Sequence, residues 1–320
     1  MYFGENLLFM KVIFFGYIFL VSFLGYSQTN KVLPVDESFK QFLSCRDFTI
    51  SYNEKEAYFT IQNLNETKGA IVKAEKVKDE WKNFEIVSFS GEHRDIEPFL
   101  TPDNLRLYFS SNRPKDNTTE EGDYDIWYVE RASIDSAWSK PKNVGSPINT
   151  QYNEFYPSLS KNGNLYYTSD KFTTISKDDI LLSKWNGTTY EHPIQLNENI
   201  NSKGYEFNAF ISPDEDFILY TVYGAKDGLG SGDLYISFKD ENGEFLKRKN
   251  LGNQINSNRM EYSPFYDKVS ENLYFTSKRD ETKNKKATNL SEFNELAKSY
   301  INGLSRIYKI KIDIKELKRN

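Results

Sequence analysis

One segment of this chain recurs. Residues 97–113 (EPFLTPDNLRLYFSSNR) return at 154–171 (EFYPSLSKNGNLYYTSDK), at 206–224 (EFNAFISPDEDFILYTVYG) and at 261–279 (EYSPFYDKVSENLYFTSKR), with a weaker first copy at 47–60 (DFTISYNEKEAYFT). The acids that open the copies are Asp47, Glu97, Glu154, Glu206 and Glu261, in steps of 50, 57, 52 and 55 residues. A period of this size is the mark of a chain built by radial repetition. Each copy opens with an extended apolar segment that reaches a Pro-Asp, Asn-Gly or Asp-Glu-Asp turn. An alternating strand such as RLYFSS (106–111) follows, then an Asp-initiated strand (DIWYVE 125–130, DILLSKW 179–185, DLYISF 233–238). A last segment ends in Ile-Asn at 148–149, 200–201 and 255–256. Alternation with a period of two marks strands, and four strands joined by short turns make one blade. The expected fold is therefore an all-β propeller of five four-stranded blades, with six as the alternative.

The two ends of the repeat array predict how the ring shuts. The fifth copy stops after its third strand, RIYKIKI (306–312), whereas KVLPVDESF (31–39) precedes the first copy where a fourth strand would stand. An open edge strand invites pairing with other chains, so residues 31–39 are expected to complete the last blade. Residues 281–304 interrupt that blade between its second and third strands. Asn289 or Ser291 caps an expected helix near 290–303, with Phe293, Leu296, Ala297, Tyr300 and Ile301 at helical spacing and Gly303 at its end. Such a helix either packs over a blade edge or serves as a lid or docking element. The long connections at 112–123 and 281–304 fall at equivalent places in two blades and mark one rim as a contact surface.

Ahead of the repeats, Val12 to Leu24 form an apolar run preceded by Lys11 and followed by Gly25, Ser27 and Gln28. The run is shorter than the ~20 residues that span a bilayer and fits a signal peptide over 1–27, cut after Ser27. Residues 1–9 carry Glu5 and no basic residue, so Met10 is the better start. The expected product is a single domain over 28–320, periplasmic or extracellular, with no membrane span once the signal is removed. The lone Cys45 excludes a disulfide framework. A net charge of −5 without a basic block argues against nucleic acid as a partner. Apolar residues make up only 38% of the chain, but aromatics reach 16%, enough to fill many thin sheet interfaces with rings.

The repeat resembles the WD-like propeller repeat of TolB-type proteins. Glu97-Pro98, Pro102-Asp103, Leu107 to Arg113 and Asp125-Ile126 match its pattern best, and the likeness runs over 47–312. The same repeat occurs in envelope proteins fused to peptidoglycan-binding modules. The resemblance implies a propeller of the bacterial envelope. TolB propellers typically have six blades, and neither the N-terminal TolB domain nor an OmpA-like module is present, so the family's partnership with a peptidoglycan-associated lipoprotein is not carried over.

Catalytic chemistry is sparse. His93 and His192 are the two histidines, neither in a zinc-ligand spacing, and no G-x-S-x-G occurs. The loop AKDGLGSGD (225–233) lacks the Gly-Lys-Ser/Thr end of a phosphate loop. Its glycines are expected to supply positive-φ turns, and Asp125, Asp179 and Asp233 to cap turns. The remaining constellation is Asp47, Glu97, Glu154, Glu206 and Glu261. Placed at one equivalent position, they would ring the channel. They would there accept bonds from neighbouring backbone, or bind a ligand or a divalent cation, or supply a glycoside hydrolase with channel-mouth carboxylates. A repeat-wide acid serves every blade alike, which favours packing over catalysis. The expected function is non-enzymatic binding or scaffolding, without an obligatory cofactor, towards an envelope protein or glycan. A glycan-active hydrolase is the alternative.

Overall fold

The computed structural model describes residues 31–115, 121–171 and 177–319. The signal segment and the Met10 start lie outside the described residues, as do 116–120 of the long connection in the second blade. Five four-stranded antiparallel sheets form the five blades, not six. The innermost strands are Cys45–Ile50, Asp95–Leu100, Glu154–Leu159, Tyr205–Ile211 and Glu261–Asp267. Each contacts the innermost strand of the next blade, and the fifth contacts the first, so the ring is closed.

Sequence pattern explains the blade. The two innermost strands face neighbouring blades on both sides, so Cys45–Ile50 and Asp95–Leu100 are buried along their whole length. In four of the five blades the outermost strand has only two residues. Lys142–Asn143, Ile194–Gln195 and Lys249–Asn250 are two-residue outer strands, and only blade 1 has a long one, Glu80–Ile86. Short outer edges give little template for pairing with another chain. The seams between blades carry the aromatic load. Phe48 of blade 1 meets Tyr274 of blade 5 at 4.7 Å, and Phe210 of blade 4 meets Phe265 of blade 5 at 5.1 Å.

The N-terminal segment closes blade 5. Leu33 and Pro34 pair with Lys309 and Tyr308, and the Val35 N–H donates to Ile307 O at 3.1 Å. Only Leu33–Pro34 is strand. Asp36 then caps a short 3-10 helix, Glu37–Gln41, its carboxylate accepting from the Ser38 N–H. This turn drives Phe39 into an aromatic nest with Phe42, Phe48, Phe59 and Phe84 of blade 1. One short segment thus ties the last blade to the first.

The inserted helix α1 is shorter than its sequence spacing predicts, spanning Leu290–Lys298 with Asn289 as its cap. Ser299, not Gly303, ends it. None of its residues is buried, and Leu290 and Phe293 are 75% and 62% exposed. Tyr300 lies past the helix and enters the core, donating to Ile307 O at 2.7 Å. A second helix, α2 (Ile314–Arg319), follows the last strand. Among the described residues, no helix is long and apolar enough to cross a membrane.

Candidate functional site

Every innermost strand carries a bulge, and the bulge decides where the acids go. The pairing register shifts after Arg46, Ile96, Phe155, Phe207 and Tyr262. The next residue in each case, Asp47, Glu97, Tyr156, Asn208 or Ser263, has φ between 48° and 61°. None is glycine, so each pays the cost of a left-handed backbone. Part of that cost is offset by the preceding blade. The N–H groups of Asp47, Glu97, Tyr156 and Asn208 donate to Thr276, Thr60, Ser110 and Thr168 hydroxyls at 3.1–3.2 Å. Thr221 stands at the fifth such place, and its buried hydroxyl has no hydrogen-bond partner.

The five acids therefore do not share one position. Asp47 and Glu97 sit at the bulge. Glu154, Glu206 and Glu261 sit two residues earlier, where blades 1 and 2 carry Cys45 and Asp95. The single ring of equivalent acids is corrected to two sets with different surroundings.

The bulge set forms a buried network at the centre. Arg46 Nε donates to Asp47 Oδ1 at 2.8 Å, and its Nη2 to Glu97 Oε1 at 2.7 Å. Asp47 also accepts from the Ser263 hydroxyl at 2.6 Å and the Glu97 N–H at 3.2 Å. Glu97 accepts from the Tyr156 N–H at 2.7 Å and Asn208 Nδ2 at 3.2 Å. All five blades meet at these two carboxylates. The guanidinium of Arg46 stands between them, where an added cation would have to sit, and its other face lies over the Tyr262 ring at 4.9 Å. Burial pushes the Glu97 carboxyl up, against the pull of Arg46 and with the help of Asp47. Beneath the network Tyr156 spans the centre, its hydroxyl donating to Pro264 O at 2.9 Å. Phe99, Phe210 and Phe265 cluster on this axis as well.

The second set caps the entry to its own blade. Glu154 accepts from the N–H and hydroxyl of Thr150, Glu206 from those of Ser202, and Glu261 from those of Ser257, at 2.6–3.1 Å. Glu206 adds Arg248 at 2.9 Å, and Glu261 adds the Ser277 hydroxyl at 2.5 Å. Burial raises the Glu154 carboxyl to about 7, opposed by the Thr150 bonds and helped by Asp125 and Asp123.

Above the network opens a mouth of about 220 Å³. Its floor is Arg46, Glu97 and Asn208; Phe155, Phe207 and Tyr262 form its walls; Arg94, Glu66, Asp178 and Lys278 stand on its rim. Lys278 pairs with Glu66 at 3.0 Å, and Arg94 donates to the Tyr124 hydroxyl at 2.6 Å. Burial raises Asp178 to about 6, assisted by Asp170 and Asp179. The connections between second and third strands lie on this side, so α1 stands on the same face of the ring as the mouth.

Several structural residues escaped the sequence reading. Asn149, Asn201 and Asn256 each clamp both the N–H and the C=O of one third-strand residue, Ile126, Ile180 or Leu234, at 2.8–3.0 Å. The motif Ile-Asn-Ser/Thr-x-x-x-Glu (148–154, 200–206, 255–261) carries both this clamp and the Glu cap. Asp125, Asp179 and Asp233 anchor the outer strand by accepting from Asn143, Gln195 and Asn250. Asp233 also caps a turn, accepting from the Leu229 and Gly230 N–H groups. The glycines at 228, 230 and 232 do not have positive φ; a Cβ on Gly230 would lie 1.8 Å from Arg259 O, so close approach of the next blade explains that glycine. His93 is half-buried and His192 exposed. Among the described residues, no three His, Cys, Asp or Glu side chains group as metal ligands. Cys45 is fully buried, and burial pushes its thiol up to about 12.

No family pattern and no curated protein matches the chain in sequence. Solved structures share its fold. A glycoside hydrolase superposes with a TM-score of 0.55 at 8% identity, over 88% of this chain and 90% of that one. The catalytic domain of a GH62 α-L-arabinofuranosidase from Coprinopsis cinerea gives 0.53 at 9% identity, over 88% and 94%. TolB from Acinetobacter baumannii gives 0.46 at 11% identity; the match covers 83% of this chain and 54% of TolB. At such identities the likeness extends to the fold alone.

Proposed function

We propose that this protein is a non-enzymatic binding or scaffolding propeller of the bacterial cell envelope, exported by its N-terminal segment. It contacts an envelope protein or glycan through the ring face and loops. The observation that carries this reading is the state of the central carboxylates. Hydrolysis by paired carboxylates needs one free acid and one free base or nucleophile facing the scissile bond. Asp47 and Glu97 instead spend their oxygens on Arg46, Ser263, Asn208 and two backbone N–H groups, at 4% exposure or less. Glu154, Glu206 and Glu261 are equally occupied by the turns they cap. Export follows from the apolar run at 12–24.

The test is affinity capture with the mature protein immobilised against its own envelope fraction, identification of the retained component, and re-binding of that component in pure form. The reading expects a saturable complex that soluble mature protein competes away. Retention no greater than on a blank support would contradict it.

A further inference from the structure

On the face opposite the mouth, the boundaries between blades 1 and 2 and between blades 3 and 4 are sealed by the same three groups, and the boundary between blades 2 and 3 departs from them. Six residues after the repeat acids Asp125, Asp179 and Asp233 stand Arg131 in blade 2, Trp185 in blade 3 and Lys239 in blade 4. In blade 2, Arg131 lies over the Trp138 ring at 4.3 Å and pairs with Glu56, which also accepts from the Tyr58 hydroxyl of blade 1. In blade 4, Lys239 lies over Phe245 at 5.0 Å and pairs with Glu215 at 3.1 Å, which accepts from the Tyr166 hydroxyl of blade 3 at 2.9 Å. Cation, glutamate and tyrosine thus seal both seams.

Between blades 2 and 3 the tyrosine remains as Tyr108, but both members of the ion pair are gone. Trp185 replaces the cation. Gly163 stands at the hairpin position held by Glu215 in blade 4; both have positive φ, 84° and 58°. The seam opens into a cleft of about 490 Å³. One wall is Tyr108 stacked on Tyr128 at 5.4 Å, the other Trp185 edge-on to Tyr190 at 4.9 Å. The indole is held in place. The Trp185 backbone bridges to Tyr190, its backbone N–H donates to Asn164 Oδ1 at 2.9 Å, and a Cβ on Gly163 would lie 3.1 Å from the indole Cδ1. Asp103, Thr188 and Thr189 stand exposed on the rim. The nearby cations are already matched, Arg106 with Glu130 and Lys161 with Asp214.

We infer that this cleft is a saccharide-binding site, in which a neutral sugar ring stands between the two walls with a C–H face on the Trp185 ring while the rim groups bind its hydroxyls. Flat aromatic walls with a polar rim and balanced charge suit a ring that is apolar on its faces and polar at its edge. The volume falls within the range of small-molecule sites. The inference rests on the binding reading above and names both a ligand class and a place for it.

The experiment titrates the mature protein with cellotriose, xylotriose and tri-N-acetylchitotriose, read by tryptophan fluorescence and saturation-transfer NMR. At least one probe is expected to bind saturably. Trp185→Ala should weaken it tenfold or more. The pair Trp185→Lys with Gly163→Glu, which rebuilds the seal of the blade 3–4 seam, should abolish binding with the thermal midpoint retained. Failure of all three probes, preference for a tyrosine-rich peptide over every saccharide, or affinity in the resealed variant within twofold of the parent would overturn the site. If the site fails while the envelope complex still forms, the binding reading stands. Cleavage of a bound probe would overturn the non-enzymatic reading and leave the site.

Discussion

Arg46 holds the centre together, and its loss should be costly. Removing one member of a buried ion pair strands the other charges in a medium that cannot solvate them, at about 3–5 kcal/mol. Arg46→Ala is expected to lower unfolding free energy by that amount in a denaturant titration, and Glu97→Gln in the same chain to recover part of it. A loss below about 1 kcal/mol would show that Asp47 and Glu97 do not depend on Arg46. Glu154 makes a prediction in pH. Burial lifts its carboxyl from 4.5 to about 7 in the folded protein, so the folded state holds the proton more tightly than the unfolded one. Its protonated form therefore stabilises the fold fully below about pH 4.5, and that contribution is lost as pH rises through about 7. Asp178, raised to about 6, acts with the same sign. The thermal midpoint should fall between about pH 5 and 7.5, and less steeply in Glu154→Gln. Equal slopes in the two proteins would contradict the assignment.

At the scale of elements, the repeat was readable because four strand signals and their turns recur. The acid register was not. A shift of two residues leaves every side chain on the same face of a strand, so alternation cannot reveal it. Turn spacing could have done so: the positive-φ hairpin residues Glu54 and Asn104 follow Asp47 and Glu97 by seven, whereas Gly163 follows Glu154 by nine. Helical spacing alone puts all five apolar positions of the insertion on one helix. Tyr300 and Ile301 lie beyond α1, Tyr300 in the core and Ile301 packed partly buried against it, while Phe293 and Ala297 stay exposed on the helix. Since no residue of α1 is buried, replacing Leu290–Lys298 by a Gly-Ser linker with Tyr300 retained should change stability by less than about 1 kcal/mol. Calorimetry checks this; a larger loss would mean that the helix packs on the blade.

For the molecule as a whole, the ring depends on a short clasp. Deleting 31–36 would expose the edge of Arg306–Lys311 and remove Val35, which is fully buried. The truncated protein should unfold earlier and associate through that edge, visible as a concentration-dependent shift in light scattering. A monomer with an unchanged midpoint would contradict closure by this segment. The same closure gathers groups from all five blades around Asp47 and Glu97, so the chemistry of the centre is a property of the whole ring and was not legible in any single repeat. The most direct test of the account is a reducing-end assay on arabinan, arabinoxylan and the protein's own envelope glycan, with parent and Glu97→Gln chains side by side. The account predicts no release above the buffer rate from either protein. Sustained release by the parent that Glu97→Gln abolishes would contradict it.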